Sequence, residues 1–145
     1  MGIAHRYVEA ADVIVTVWDG LVTPAEWSEV VRRQLAGPSS SRGKRRLTDT
    51  RTADPSSITA SDVEAISATY ERAEMETSGV KLAIVANKGW ATAQQVETAM
   101  RKLGVSTVVF NDVHTACAWL GVDPDLVAAT IHEIRQELRR SSGDD

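Results

Sequence analysis

The chain has 145 residues, 43% of them hydrophobic, and 16 Lys plus Arg against 20 Asp plus Glu give a formal charge of -4. That length fits one domain with a core large enough to need no metal or disulfide staple, and the acidic balance disfavours a general nucleic-acid binder, whose phosphate contacts need a basic surface. A single cysteine, Cys117, excludes an intrachain disulfide or a multi-thiolate zinc site. No apolar run approaches the ~20 residues of a membrane helix, and Met1 to Tyr7 lacks a leader's hydrophobic stretch, so the expectation is a cytoplasmic protein without integral membrane association.

In chain order, Ala4 to Glu9 is expected to pair antiparallel with Val13 to Trp18, because Ala10 to Asp12 is too short for a crossover helix. Val13 to Trp18, Leu82 to Ala86 and Val105 to Phe110 are aliphatic or β-branched on both alternating faces. Such strands are covered on both sides, which requires helices above and below. The first helix opens with Thr23, Pro24 and Glu26 as cap, first-turn proline and capping-box acid, and Val22 and Trp27 occupy the staple positions. Gly37 and Pro38 stop it.

Arg45 to Thr50 is the remaining strand, unusually polar for a central position, with Leu47 its only large aliphatic residue. A helix then starts near Thr59 or Ser61, where Thr59 with Asp62 and Ser61 with Glu64 are alternative capping pairs. A third helix runs from about Thr92 to Leu103, a short fourth follows Asn111 or Asp112, and a fifth begins at Asp123 and Pro124. The reading is a single α/β domain: an approximately five-stranded, mostly parallel sheet with an antiparallel first strand, helices on both faces and an extra C-terminal helix. Residues 1–122 form the domain. Residues 123–140 form a helix packed on it or at a dimer interface, and 141–145 read as a disordered tail. Val127, Ile131, Ile134 and Leu138 make the stripe that packs on the sheet or joins a homodimer.

Several chemistries fail on spacing. Gly37 to Lys44 resembles a phosphate-binding loop, but it has five residues between its glycines, Arg45 where Ser or Thr would hold magnesium, and a helix before it instead of a strand. His5, His114 and His132 lack a ligand-gathering motif, so no metal or cofactor is expected. Cys117 lies on an apolar helix face, as a core residue does.

The strand ends remain, since ligands of open α/β sheets bind outside the carboxyl ends of strands. They supply Asp19, Asp49, Arg51, Asn87, Lys88 and Asp112 as candidate ligand- or partner-binding residues. Asp49 and Arg51 stand out, because they share a side of the polar strand and Asp49 would need donors if buried. Arg42, Lys44, Arg45 and Arg46 form a basic run suited either to solvent or to an anionic partner.

Leu47-Thr-Asp49-Thr-Arg51 followed by Ile58-Thr-Ala-Ser-Asp62-Val63, then Val80 to Ala86 and Val109-Phe-Asn-Asp112 running into Ala118-Trp119-Leu120, resemble the STAS-like family. The branch resembled is the one related to the sporulation anti-anti-sigma factor, a group whose fold is also likened to lipid-binding CRAL-TRIO domains. The resemblance covers about Asp12 to Gly121 and implies a non-enzymatic regulatory or protein-interaction module that docks partners around the helix after the third strand. Family members carry a phosphorylatable serine beside that helix, and Ser56 and Ser57 are the corresponding candidates, although Asp54-Pro-Ser56-Ser57 lacks the following glycine. The alternative function is a carrier for a small anionic or lipid ligand, using the strand ends or a cleft beneath the second helix. An enzyme ranks third.

Overall fold

The computed structural model describes residues 2–36 and 44–143. Strand β1 (Ile3–Val8) and strand β2 (Val13–Leu21) are joined by a 3-10 turn over Glu9–Ala11. Asp12 closes that turn in the left-handed region at φ 48°, with its amide donating to the Glu9 carbonyl and its carboxylate accepting from the Tyr7 hydroxyl at 2.7 Å. Short polar side chains are among the few that tolerate this conformation. The hairpin is antiparallel, from Ile3 opposite Trp18 to Val8 opposite Val13.

From there the chain alternates: α1 (Pro24–Ala36), β3 (Arg45–Asp54), α2 (Ala60–Arg72), β4 (Lys81–Val85), α3 (Trp90–Lys102), β5 (Ser106–Phe110), α4 (Val113–Leu120) and α5 (Pro124–Gly143). Strands β2 to β5 are parallel, and the sheet runs β1-β2-β3-β4-β5. The α/β architecture expected from the sequence is thus present, with its antiparallel first strand and helices on both faces. Boundaries move, however: β2 reaches Leu21, β3 reaches Asp54, α3 begins at Trp90, and α5 continues through Gly143 instead of fraying from Ser141. The Gly37 to Gly43 loop and Arg42 lie outside the described residues.

Caps explain most helix starts. At α2 the Thr59 hydroxyl accepts from the Asp62 amide while Asp62 accepts from the Thr59 amide, so the first of the two alternative capping pairs is the one used. Asp112, not Asn111, caps α4. Thr23 caps α1 by accepting from the Glu26 amide, but Glu26 does not complete a box; its carboxylate takes the amide of Gly2 and ties the start of the chain to α1.

Two helical layers sandwich the sheet. α4 and α5 cover the face made by Val13, Val15, Val17, Leu47, Ala83 and Val85. α1, α2 and α3 cover the other, where Ile3, Trp18 and Ile84 meet Trp27, Ile66 and Ala93. Val127, Ile131, Ile134 and Leu138 of α5 are all buried in the first layer, none more than 6% exposed. Each such side chain is worth roughly 1.5–3 kcal/mol relative to exposure, so the stripe is used within the chain and offers no apolar seam to a second copy.

Candidate functional site

The polar strand β3 presents different chemistry to the two layers. Alternation sends Leu47, Asp49 and Arg51 towards α5, and Arg46, Thr48 and Thr50 towards α1–α3.

On the α5 side a bulge gathers the charges. Val17 faces Asp49 and Asp19 faces Thr52, so Thr50 and Arg51 oppose the single residue Trp18. The extra residue re-aims Thr52 onto the face of Asp49 and Asp19. Asp49 is fully buried and accepts four hydrogen bonds: from the Arg51 amide at 3.1 Å, Arg51 Nε at 2.9 Å, Arg51 Nη2 at 3.0 Å and Arg135 Nη2 at 2.7 Å. A carboxylate has about four lone-pair sites, so this one is saturated. Thr52 donates to Asp19 Oδ1 at 2.6 Å and accepts from Arg135 Nε at 3.2 Å, while Arg139 grips Asp19 through two contacts of 3.1 Å.

The pKa shifts follow this wiring. Hydrogen bonding to Asp49 raises Arg51 against the opposing effect of burial, with the charges of Asp49 and Asp112 adding. Burial alone would raise Asp19, but hydrogen bonds from Arg139 and Thr52 and the charges of both arginines outweigh it and leave the carboxyl low. Asp19 therefore contributes stability that is complete above its unfolded pKa of about 3.9 and is lost as pH falls through the lower folded value. Replacing Arg139 by Gln should move the Asp19 titration, followed by carboxyl-carbon NMR, to higher pH. The accompanying loss of stability will be small because Arg139 is 61% exposed. An unchanged titration would show that the Arg139 contacts carry no weight.

The six strand-end candidates do not converge as one site. Asp19, Asp49 and Arg51 belong to the network, and Asp112, which accepts from the amide and hydroxyl of Thr115 at 2.7 and 2.9 Å, reaches it only through its charge on Arg51. Asn87 and Lys88 are exposed and stand apart. The reason is topological: strands follow one another in a single direction across the sheet, so the strand order never reverses to open the crevice that strand-end ligand sites occupy. Arg135 and Arg139 were missed by sequence reasoning. Their signal was an i, i+4 arginine pair flanking the α5 stripe while two strand-end acids lacked cations nearby.

The basic run also divides. Lys44 donates to the Ser78 carbonyl at 2.8 Å, Arg45 lies 3.5 Å from the Gly121 carbonyl, and Arg46 turns to the opposite layer. Cys117 is buried among α4 and sheet residues, its thiol pushed up to about 11 by burial with Asp123 adding, which leaves no thiolate nucleophile at neutral pH. Among the described residues no group of three or more His, Cys, Asp or Glu side chains is placed to hold a metal ion.

On the α1–α3 side the layers do not close. A cavity of about 100 Å3 lies between the sheet and the three helices, walled by Trp18, Trp27, Val30, Ala93, Val96 and Met100 and floored by Thr16, Thr48 and Thr50, with Arg46, Gln34 and Tyr70 also on its wall. Pro55 and Gly89 line its carboxyl end; a Cβ on Gly89 would lie 2.8 Å from Pro55 Cγ, so that close approach requires glycine. For scale, an apolar cavity of ~150 Å3 admits benzene.

The floor is chemically unusual. Thr50 satisfies its hydroxyl on the Val85 carbonyl at 2.9 Å, whereas the hydroxyls of Thr16 and Thr48, opposite one another across β2 and β3, make no side-chain hydrogen bond among the described residues. Thr16 is only 8% exposed, yet no fully buried side-chain oxygen or nitrogen among the described residues lacks a partner. Both hydroxyls therefore keep open space beside them, and that space is the cavity. The sequence signal was Thr16, the one hydroxyl inside the apolar run Val13 to Trp18. Arg46 sits half-buried beside them, its pKa pulled down by burial and partly restored by Tyr70. Burial in turn raises Tyr70, against the opposing charge of Arg46.

No family model, curated protein or solved structure matches the chain.

Proposed function

We propose that the protein is a non-enzymatic binding domain that takes a small, mostly apolar molecule between the sheet and α1–α3. The observation that carries this reading is the pair of hydroxyls, Thr16 and Thr48, that line a mostly apolar cavity and make no side-chain hydrogen bond among the described residues. A core selected for stability alone would place Val or Ile there, since a hydroxyl without a partner in an apolar layer costs roughly 1–3 kcal/mol. A ligand with a hydrogen-bonding group recovers that cost. The strand-end acids argue against catalysis, because Asp49 spends its acceptor sites on structural guanidinium groups.

A regulatory module like those of the STAS family is the second reading. It rests on the exposed Ser56 and Ser57 just ahead of α2, where the Ser56 amide donates to Asp54 at 3.0 Å and the Ser57 hydroxyl to the Val22 carbonyl at 3.0 Å. The two readings are compatible if ligand occupancy beneath α2 alters what that helix presents.

Thermal-shift and ligand-detected NMR screening with small alcohols, acids and aromatics tests the binding reading against Ala93→Leu, which fills the cavity from α3. Binders of the native protein should lose affinity at least tenfold in the variant. Absence of any binder, or binders indifferent to Ala93→Leu, would refute it.

A further inference from the structure

We infer that Glu97 and Arg101 of α3 form a side-chain latch that closes the outer edge of β5 against strand addition by a second copy of this chain. β5 is the last strand of the sheet. The Ser106 amide donates to the Val80 carbonyl and the Phe110 carbonyl accepts from the Ala86 amide, so the even-numbered residues of β5 bond towards β4. In a parallel ladder alternate residues turn both backbone groups to the same side, which sends those of Thr107 and Val109 outwards. A row of outward amides and carbonyls is a template for another strand.

Two of these outward groups are occupied by α3. Arg101 Nε donates to the Thr107 carbonyl at 2.9 Å, and the Val109 amide donates to Glu97 Oε2 at 3.1 Å. A further parallel strand would meet that same carbonyl and amide with the N–H and C=O of one residue, so the two side chains take the place of its backbone. Their i, i+4 spacing puts them on one face of α3, and Arg101 Nη2 lies 3.5 Å from Glu97 Oε2, which ties the halves of the latch together. Just before the strand, the Val105 carbonyl accepts from the Thr107 hydroxyl at 3.0 Å.

The composition of β5 makes a second copy the occupant to be kept out. Val105 to Phe110 is rich in β-branched residues and carries no charge, glycine or proline, the pattern of segments that pair with themselves. In a two-fold dimer the two edges meet antiparallel, and no like charges on the strands oppose that contact. An open groove lined by Arg101, Ser106, Val108 and Trp119 lies along this edge and gives an incoming strand room.

Size exclusion with light scattering over a concentration series tests the latch in the full-length Glu97→Ala, Arg101→Ala double variant. The concentration at which the mass doubles should fall at least about tenfold below that of the native protein, because an incoming strand no longer displaces two charge-assisted hydrogen bonds. Amide exchange followed by NMR should show Thr107 and Val109 gaining protection as the variant associates. Adding Ser106→Lys should restore the native behaviour, since Ser106 is exposed and a lysine on an edge strand opposes pairing. Arg101→Ala alone, which truncates a side chain that is 57% exposed, carries the same test if the double variant does not fold. Unchanged association in the folded variants, association that survives Ser106→Lys, or protection gained only away from Thr107 and Val109 would overturn the inference.

Discussion

Asp49→Ala is expected to lower the unfolding free energy by about 3 kcal/mol, measured by urea denaturation. Removing one partner of a buried ion pair costs about 3–5 kcal/mol, because the remaining charge is stranded out of water. The low end applies here, since the side chains of Arg51 and Arg135 are 34% and 16% exposed and water reaches them. A combined Asp49→Leu, Arg51→Met and Arg135→Met variant should regain most of that loss, as hydrophobic replacement of a whole buried ionic group is often neutral or stabilising. A destabilisation below about 1 kcal/mol in Asp49→Ala would mean that the carboxylate is not holding α5 to the sheet.

Ile134→Ala should cost about 2–5 kcal/mol, the range for truncating a buried aliphatic side chain. Ile134 is 1% exposed and packs with Val15, Val17 and Leu47 in the layer beneath α5. Because this burial lies within one chain, the midpoint of unfolding should be independent of protein concentration in both native and variant protein. A dimer seam would behave differently: the variant would dissociate, and its stability would vary with concentration. On another face of α5, Glu133 and Glu137 pair with Arg6 at 2.6 and 2.8 Å.

Much of the fold was legible because its determinants are local. The tight link between Val8 and Val13 forces a hairpin, Thr59 with Asp62 caps α2, and Gly121 in the left-handed region at φ 76° ends α4. The polarity of β3 was legible too, as was the shared side of Asp49 and Arg51, which follows from the period of two. Their counter-ion was not. Arg135 lies 86 residues from Asp49 in sequence, and no periodicity connects a strand end to a helix that returns from the far side of the sheet. Whether the six strand-end residues gather was not legible for a similar reason: convergence of polar loops depends on strand order, which local patterns leave open. Asn87 and Lys88 are polar because they lie in an exposed turn.

The two faces of β3 thus resolve its unusual composition. Asp49 and Arg51 close one layer by charge, and Arg46, Thr48 and Thr50 line the cavity in the other. Thr16 shows why the second role was harder to see, since a single threonine in an apolar strand has the β-branched shape of its neighbours and differs only in one oxygen. That oxygen is informative only once it is known to lie beside the cavity without a hydrogen-bond partner among the described residues.

The most direct measurement is a set of intermolecular NOEs between a small alcohol such as 1-pentanol and the methyl groups of the protein. The ligand's methyl protons should contact Ala93 and Val96, and its α-methylene protons should contact the γ-methyls of Thr16 and Thr48. Contacts confined to exposed positions such as Leu21, or no contacts at ligand concentrations that saturate the shifts, would contradict binding between the sheet and α1–α3.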